Sequence, residues 1–84
     1  MTPIVNVIKL IDYISASANT TKTYSSKNVY GLKIKNDGAS SITVTVNGLV
    51  MTILTTETFE EAVQPTDTFT ITGSIAFRCW VRGV

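Results

Sequence analysis

Residues Ser41 to Leu54 read SITVTVNGLVMTIL. Apolar and polar residues alternate up to Asn47-Gly48, and an apolar run follows. Asn-Gly is the preferred pair for a two-residue type I′ hairpin turn, because both central residues take positive φ there. That turn sets Val46 opposite Leu49, Val44 opposite Met51 and Ile42 opposite Ile53. Every pair on that face is apolar, so turn and hydrophobic pattern demand the same register. The segment predicts a twisted antiparallel hairpin with one greasy face.

Working backward, Val29 to Lys35 reads as the preceding strand, with Tyr30, Leu32 and Ile34 on one face and Lys33 and Lys35 on the other. Asn36-Asp37-Gly38 is turn chemistry. A three-residue loop there, Asp37 to Ala39, aligns Ile34 with Ile42, Leu32 with Val44 and Tyr30 with Val46, and a five-residue loop preserves the same facing. The prediction is a meander over 29–54. Working forward, Thr55 to Pro65 reads as a connection anchored by Phe59 and Val63, with Glu57, Glu60 and Glu61 in water. Thr58-x-x-Glu61 is the pattern of a cap on one helical turn, limited by Pro65. Thr66 to Thr72 is a strand with Phe69 and Ile71 inward, and Thr72-Gly73-Ser74 closes a second hairpin. Ile75, Phe77, Cys79 and Val81 continue inward, which sets Ala76, Arg78, Trp80 and Arg82 on the opposite face.

The start of the chain is less decided by its pattern. Ile4 to Leu10 reads as a strand on its Val/Ile content, although Ile4, Ile8 and Ile11 also match helical spacing. Ile11 to Ile14 either extends it or turns away. Ser15 to Asn28 is a long polar loop with Tyr24 as its large anchor and a short edge strand near Thr21 to Tyr24. Six or seven strands at roughly 8–12-residue spacing predict one domain over 1–84, an all-β, small antiparallel β-sandwich (Ig-like) or barrel.

Composition narrows the chemistry. The chain has 84 residues, and one this short buries roughly 60% of its unfolded surface, so partner subunits are expected to add support. One cysteine, Cys79, precludes an intrachain disulfide. With no histidine and six acidic residues, no zinc or calcium constellation is visible, and no cofactor motif occurs. Serines lack a histidine base and a Gly-x-Ser-x-Gly elbow, so no enzyme is expected. Cys79 reads as a small buried hydrophobe. A net charge of +1 with 15% charged residues supplies no field for nucleic acid or anionic lipid. Ala16-Ser17-Ala18 follows an apolar stretch, but Asn6, Lys9 and Asp12 interrupt that stretch and no charge precedes it, so no signal peptide is expected. Asn19-Thr20-Thr21 matches a glycosylation sequon whose use requires secretion. No apolar run is long enough for a membrane helix.

One surface feature stands out. Arg78-x-Trp80-x-Arg82 puts Trp and Arg, the residues most enriched at binding hot spots, on one strand face. The competing reading is a Trp that covers a sheet edge beside arginine stems. Outward Lys33 and Lys35 extend the candidate interface.

The segments PIVNVIKL (3–10), NVYGLKIKNDGASSITVTVNGL (28–49), ETFEEAV (57–63) and TFTITGSIAFRCWVRG (68–83) together resemble a family of small β-sandwich, Ig-like virion proteins of tailed phages of Gram-positive bacteria. The resemblance implies a non-enzymatic role in capsid decoration, fibre anchoring or the tail tip. It also implies capsid or tail subunits as partners, and many copies or a homo-oligomer on the particle. It carries over no functional residue. The alternatives are a carbohydrate-binding adhesion module, with Trp80, Tyr13, Tyr24 or Tyr30 as stacking platform, and a small phage inhibitor of a host protein.

Overall fold

A computed structural model describes residues 8–84. It contains eight strands: β1 (Lys9–Ala16), β2 (Thr20–Thr23), β3 (Val29–Asn36), β4 (Ile42–Val46), β5 (Leu49–Ile53), β6 (Thr58–Thr66), β7 (Thr68–Thr72) and β8 (Phe77–Gly83). No helix forms among the described residues, so none there is long and apolar enough to cross a membrane. The strands make two four-stranded antiparallel sheets, ordered β1-β8-β3-β6 and β2-β7-β4-β5. The expected strand over Ile4 to Leu10 lies mostly outside the described residues; its continuation through Ile11 to Ile14 is strand.

The connectivity follows from the Asn47-Gly48 turn. Both residues take positive φ, 52° and 77°, and the pairs Val46–Leu49, Val44–Met51 and Ile42–Ile53 form in the expected register. Moving outward from that turn, β3 pairs with β6, β2 with β7 and β1 with β8. The chain is thus one long hairpin with Asn47-Gly48 at its tip. Rolling that hairpin brings β8 beside β3 and β7 beside β4, which completes both sheets. The β-sandwich expected from sequence is formed, with the connectivity of an eight-stranded jelly roll in place of an Ig-like one.

Two expected pairings are corrected. β3 does not form a meander with β4, and β7 does not form a hairpin with β8; each consecutive pair is split between the sheets. In a single meander Leu32, Ile34, Ile42 and Val44 would share one face that still needed covering. Crossing to the other sheet turns the two apolar faces toward each other. Val29, Leu32, Ile34, Phe77, Cys79 and Val81 from one sheet meet Ile42, Val44, Val46, Ile53, Phe69 and Ile71 from the other, all at most 3% exposed. Burial of each such side chain is worth ~1.5–3 kcal/mol. Asn36, fully buried, pins the β3–β4 crossover. Its Nδ2 donates to the carbonyls of Ser40 (2.8 Å) and Ile53 (3.0 Å), and its Oδ1 accepts the Gly38 N–H (2.9 Å).

Two further expectations fail for local reasons. Thr58–Thr66 is an edge strand, not a connection with a helical turn, because pairing with β3 gives its backbone partners while its glutamates stay exposed. An edge also tolerates Pro65, which has no N–H to donate. Tyr30 is not inward with Leu32 and Ile34. The β3 register shifts between Val29 and Gly31, so Val29 enters the core and Tyr30 is left half-buried.

Candidate functional site

Parity sends Phe77, Cys79 and Val81 inward, so Arg78, Trp80 and Arg82 face out from β8. β8 is a central strand, flanked by β3 and β1. On the β3 side Lys33 lies opposite Trp80, Lys35 opposite Arg78 and Gly31 opposite Arg82. On the β1 side Tyr13 lies opposite Trp80, Ser15 opposite Arg78 and Leu10 opposite Arg82. All five residues singled out from sequence therefore share one outer face, with Trp80 at its centre.

The geometry is that of an aromatic centre framed by cations. The Tyr13 and Trp80 rings are 5.5 Å apart and tilted by 56°. Lys33 Nζ lies 5.4 Å and Arg78 Cζ 5.6 Å from the indole centroid, within cation–π range. An ion pair closes each end of the strip. Arg78 binds Asp37 through Nε (2.7 Å) and a second nitrogen (2.9 Å), and Arg82 binds Glu60 at 2.9 Å. The fork-shaped hydrogen bond from Arg78 holds the Asp37 carboxyl below its ordinary range. Lys35 donates to the Thr56 carbonyl. Lys33 has no acidic partner among the described residues. Leu10 and Tyr13 add exposed apolar surface along the strip's β1 flank.

The opposite outer face is different. Thr43 lies beside Thr72 and Thr52, and Thr45 beside Thr70. Thr21 and Thr70 share a hydroxyl hydrogen bond of 3.0 Å, and Thr23 and Thr68 one of 3.3 Å. That threonine face carries neutral hydroxyls, some paired with each other, whereas the Trp80 face presents an unpaired ammonium and exposed aromatic surface.

Sequence reasoning placed the five residues outward but missed Asp37 and Glu60, their counter-charges, and left Tyr13 off the interface. Nothing local in the sequence says that β1 borders β8. Of the other tyrosines weighed as a platform, Tyr24 stacks on Phe69 and donates its hydroxyl to Asp12 Oδ2 (2.9 Å), on another side of the roll. Tyr30 lines a hollow of about 220 Å³ with Ile8 and Arg82.

No family model matches the chain, and neither does any curated protein or solved structure.

Cys79 lies behind Trp80 in the core, and burial pushes its thiol up to about 12 from an ordinary 9.0. A raised folded value leaves stability intact below the unfolded value. Stability then falls as pH climbs toward the folded value, because only the unfolded thiol ionises in between. Between about pH 9 and pH 12 wild type should lose up to ~1.4 kcal/mol per pH unit from this group. Cys79→Ala should lose less over the same window. Urea midpoints of both proteins at about pH 8 and pH 11 check this; equal alkaline losses would refute it.

Proposed function

We propose that this chain is a non-enzymatic structural module that docks onto a larger protein assembly through the β1-β8-β3 face, and that the assembly is a tailed-phage particle carrying it in many copies. The observation that carries the docking reading is the convergence of Trp80, Tyr13, Arg78, Arg82 and Lys33 from three strands onto one flat surface. Trp, Tyr and Arg are the side chains that dominate binding hot spots. Lys33, already desolvated on one side by the indole, suits a carboxylate or carbonyl from the partner. The particle reading rests on the sequence resemblance and on the use of jelly rolls in viral capsid domains, an argument by fold analogy.

Particle location by electron microscopy, with binding assays against purified capsid and tail subunits, tests both parts. Trp80→Ala should weaken subunit binding by about 2–4 kcal/mol, while changing the unfolding midpoint little, since the indole lies outside the core. Undiminished binding by Trp80→Ala and Lys33→Ala, or a chain absent from particles, would sink the reading.

The adjacency of Tyr13 and Trp80 favours one second reading, a sugar-stacking platform. The 56° tilt gives no shared plane, and a sugar must displace Lys33 or Arg78 from the indole. Trp80-dependent signal on a glycan array would favour that reading.

A further inference from the structure

The two open sides of the roll are closed differently. On the β1/β2 side, Asp12 reaches across to the Tyr24 hydroxyl (2.9 Å) and to Lys22 Nζ (3.7 Å). On the β5/β6 side the bridges sit at the ends. Asn47 Nδ2 donates to the Gln64 carbonyl (2.9 Å) at one end. At the other, the Leu54 N–H donates to Glu57 Oε1 (3.0 Å) and the Glu57 N–H to the Leu54 carbonyl (3.0 Å). Between them lies a groove of about 410 Å³, lined by Val46, Leu49, Met51, Phe59 and Val63, with a single acid, Glu61. Glu61 shares a face of β6 with Phe59 and Val63, so it sits between apolar side chains on the groove wall.

The groove is bordered by an unprotected edge. An exposed strand edge invites pairing with another chain, and proteins blunt it with charge, proline, bulges or brevity. Among the described residues, three of the four sheet edges are blunted. β1 carries Lys9 and Asp12 and a register shift at Ile11; β2 has only four residues, one of them Lys22; β6 carries Pro65, Glu60 and Glu61. β5, LVMTI, has none of these devices, and Leu49 and Val50 are 64% and 66% exposed. Pairs flanking a two-residue turn are hydrogen-bonded and alternate thereafter, so Val50 and Thr52 aim their backbone N–H and C=O away from β4.

We propose that the β5 edge and its groove bind an extended segment of another protein. The segment adds a fifth strand to the β2-β7-β4-β5 sheet, with apolar side chains in the groove and a Lys or Arg level with Glu61. Strand addition draws affinity from main-chain hydrogen bonds and specificity from alternate side-chain pockets. Charge decides the occupant. A second copy paired through β5 about a two-fold axis brings Glu61 toward its own counterpart, and β5 offers no basic residue to offset it. A basic side chain from a different partner satisfies Glu61 directly.

The probe is a synthetic peptide, acetyl-Thr-Val-Thr-Lys-Thr-Val-Thr-amide, titrated into the isotope-labelled full chain and followed by amide NMR. Expected are saturating shifts at Val50 and Thr52 and slowed exchange of their amides. A peptide with Glu in place of Lys should bind up to ~5-fold more weakly, the range of an exposed ion pair. Glu61→Lys should invert that preference. A Lys peptide N-methylated at its edge-facing amides should not bind, a control that leaves the protein untouched. Absence of shifts at β5, equal binding of both peptides to wild type and Glu61→Lys, or a dimer by light scattering whose concentration-dependent amide shifts map to Val50 and Thr52 would each overturn the proposal.

Discussion

Gly83→Ala is expected to remove a large part, up to all, of the fold's stability. A Cβ at this position would lie 1.8 Å from the Asn28 carbonyl oxygen, 2.9 Å from its carbonyl carbon and 3.0 Å from Ile11 Cδ1. The first two are backbone atoms and cannot swing aside as a side-chain tip does. They are also held in place: the Val84 N–H donates to the Asn28 carbonyl (3.0 Å), and Asn28 Nδ2 donates to the Val84 carbonyl (3.0 Å). Room for a methyl group requires moving the end of β8, which pairs with both β1 and β3. The expected cost is more than ~4 kcal/mol. A domain of this size holds roughly 4–13 kcal/mol in total. Gly31→Ala is the control, because its nearest contact, 3.5 Å from the Glu61 carbonyl oxygen, is ordinary packing. Urea unfolding followed by circular dichroism reads both; a Gly83→Ala protein within ~1 kcal/mol of wild type would refute the account.

Asn36→Ala is expected to be nearly as damaging. It deletes three hydrogen bonds, two part-buried ones to the Ser40 carbonyl and the Gly38 N–H and one buried one to the Ile53 carbonyl. An unsatisfied buried carbonyl costs about 1–3 kcal/mol and each part-buried bond about 0.5–1.5 kcal/mol, so a loss of roughly 2–6 kcal/mol follows. Asn36→Asp distinguishes hydrogen bonding from packing. It keeps the acceptor for Gly38 and the shape, but loses both donors and brings a buried charge. Its deficit should exceed that of Asn36→Ala at neutral pH and shrink as the carboxyl protonates. Denaturant midpoints measured on both sides of the carboxyl range decide it, and a pH-independent Asp variant would count against the role given to Asn36.

The residues themselves explain what was legible in advance. The Val44, Val46 and Ile53 pattern is local, and Asn47-Gly48 fixes its register, so that hairpin could be read directly. Parity assigned Lys33, Lys35, Arg78, Trp80 and Arg82 to outer positions, since a period of two is a property of each strand alone. Parity is silent about neighbours. Ile34 and Ile42 share a core whether their strands lie side by side or face each other across it, and only the second arrangement occurs. Tyr30 escaped because one extra residue in β3 resets the alternation. β6 escaped because Glu60, Glu61 and Pro65 are poor strand formers that an edge accepts. The Trp80 face came together only through pairing of β8 with both β3 and β1, which no local signal encodes.

The rolled hairpin also has a consequence for how the chain reaches its native state. Closing a long loop costs entropy that grows with the logarithm of its length, and sheets built from distant strands fold slowly. Among the described strands, β4 and β5 are the only sequence neighbours that pair. Once they zip, β3 and β6 become the ends of a short gap, and then β2 with β7 and β1 with β8. Each step leaves a small closure for the next, and Asn47-Gly48 is the point from which the zipper starts. The same two residues that set the register therefore set the clock.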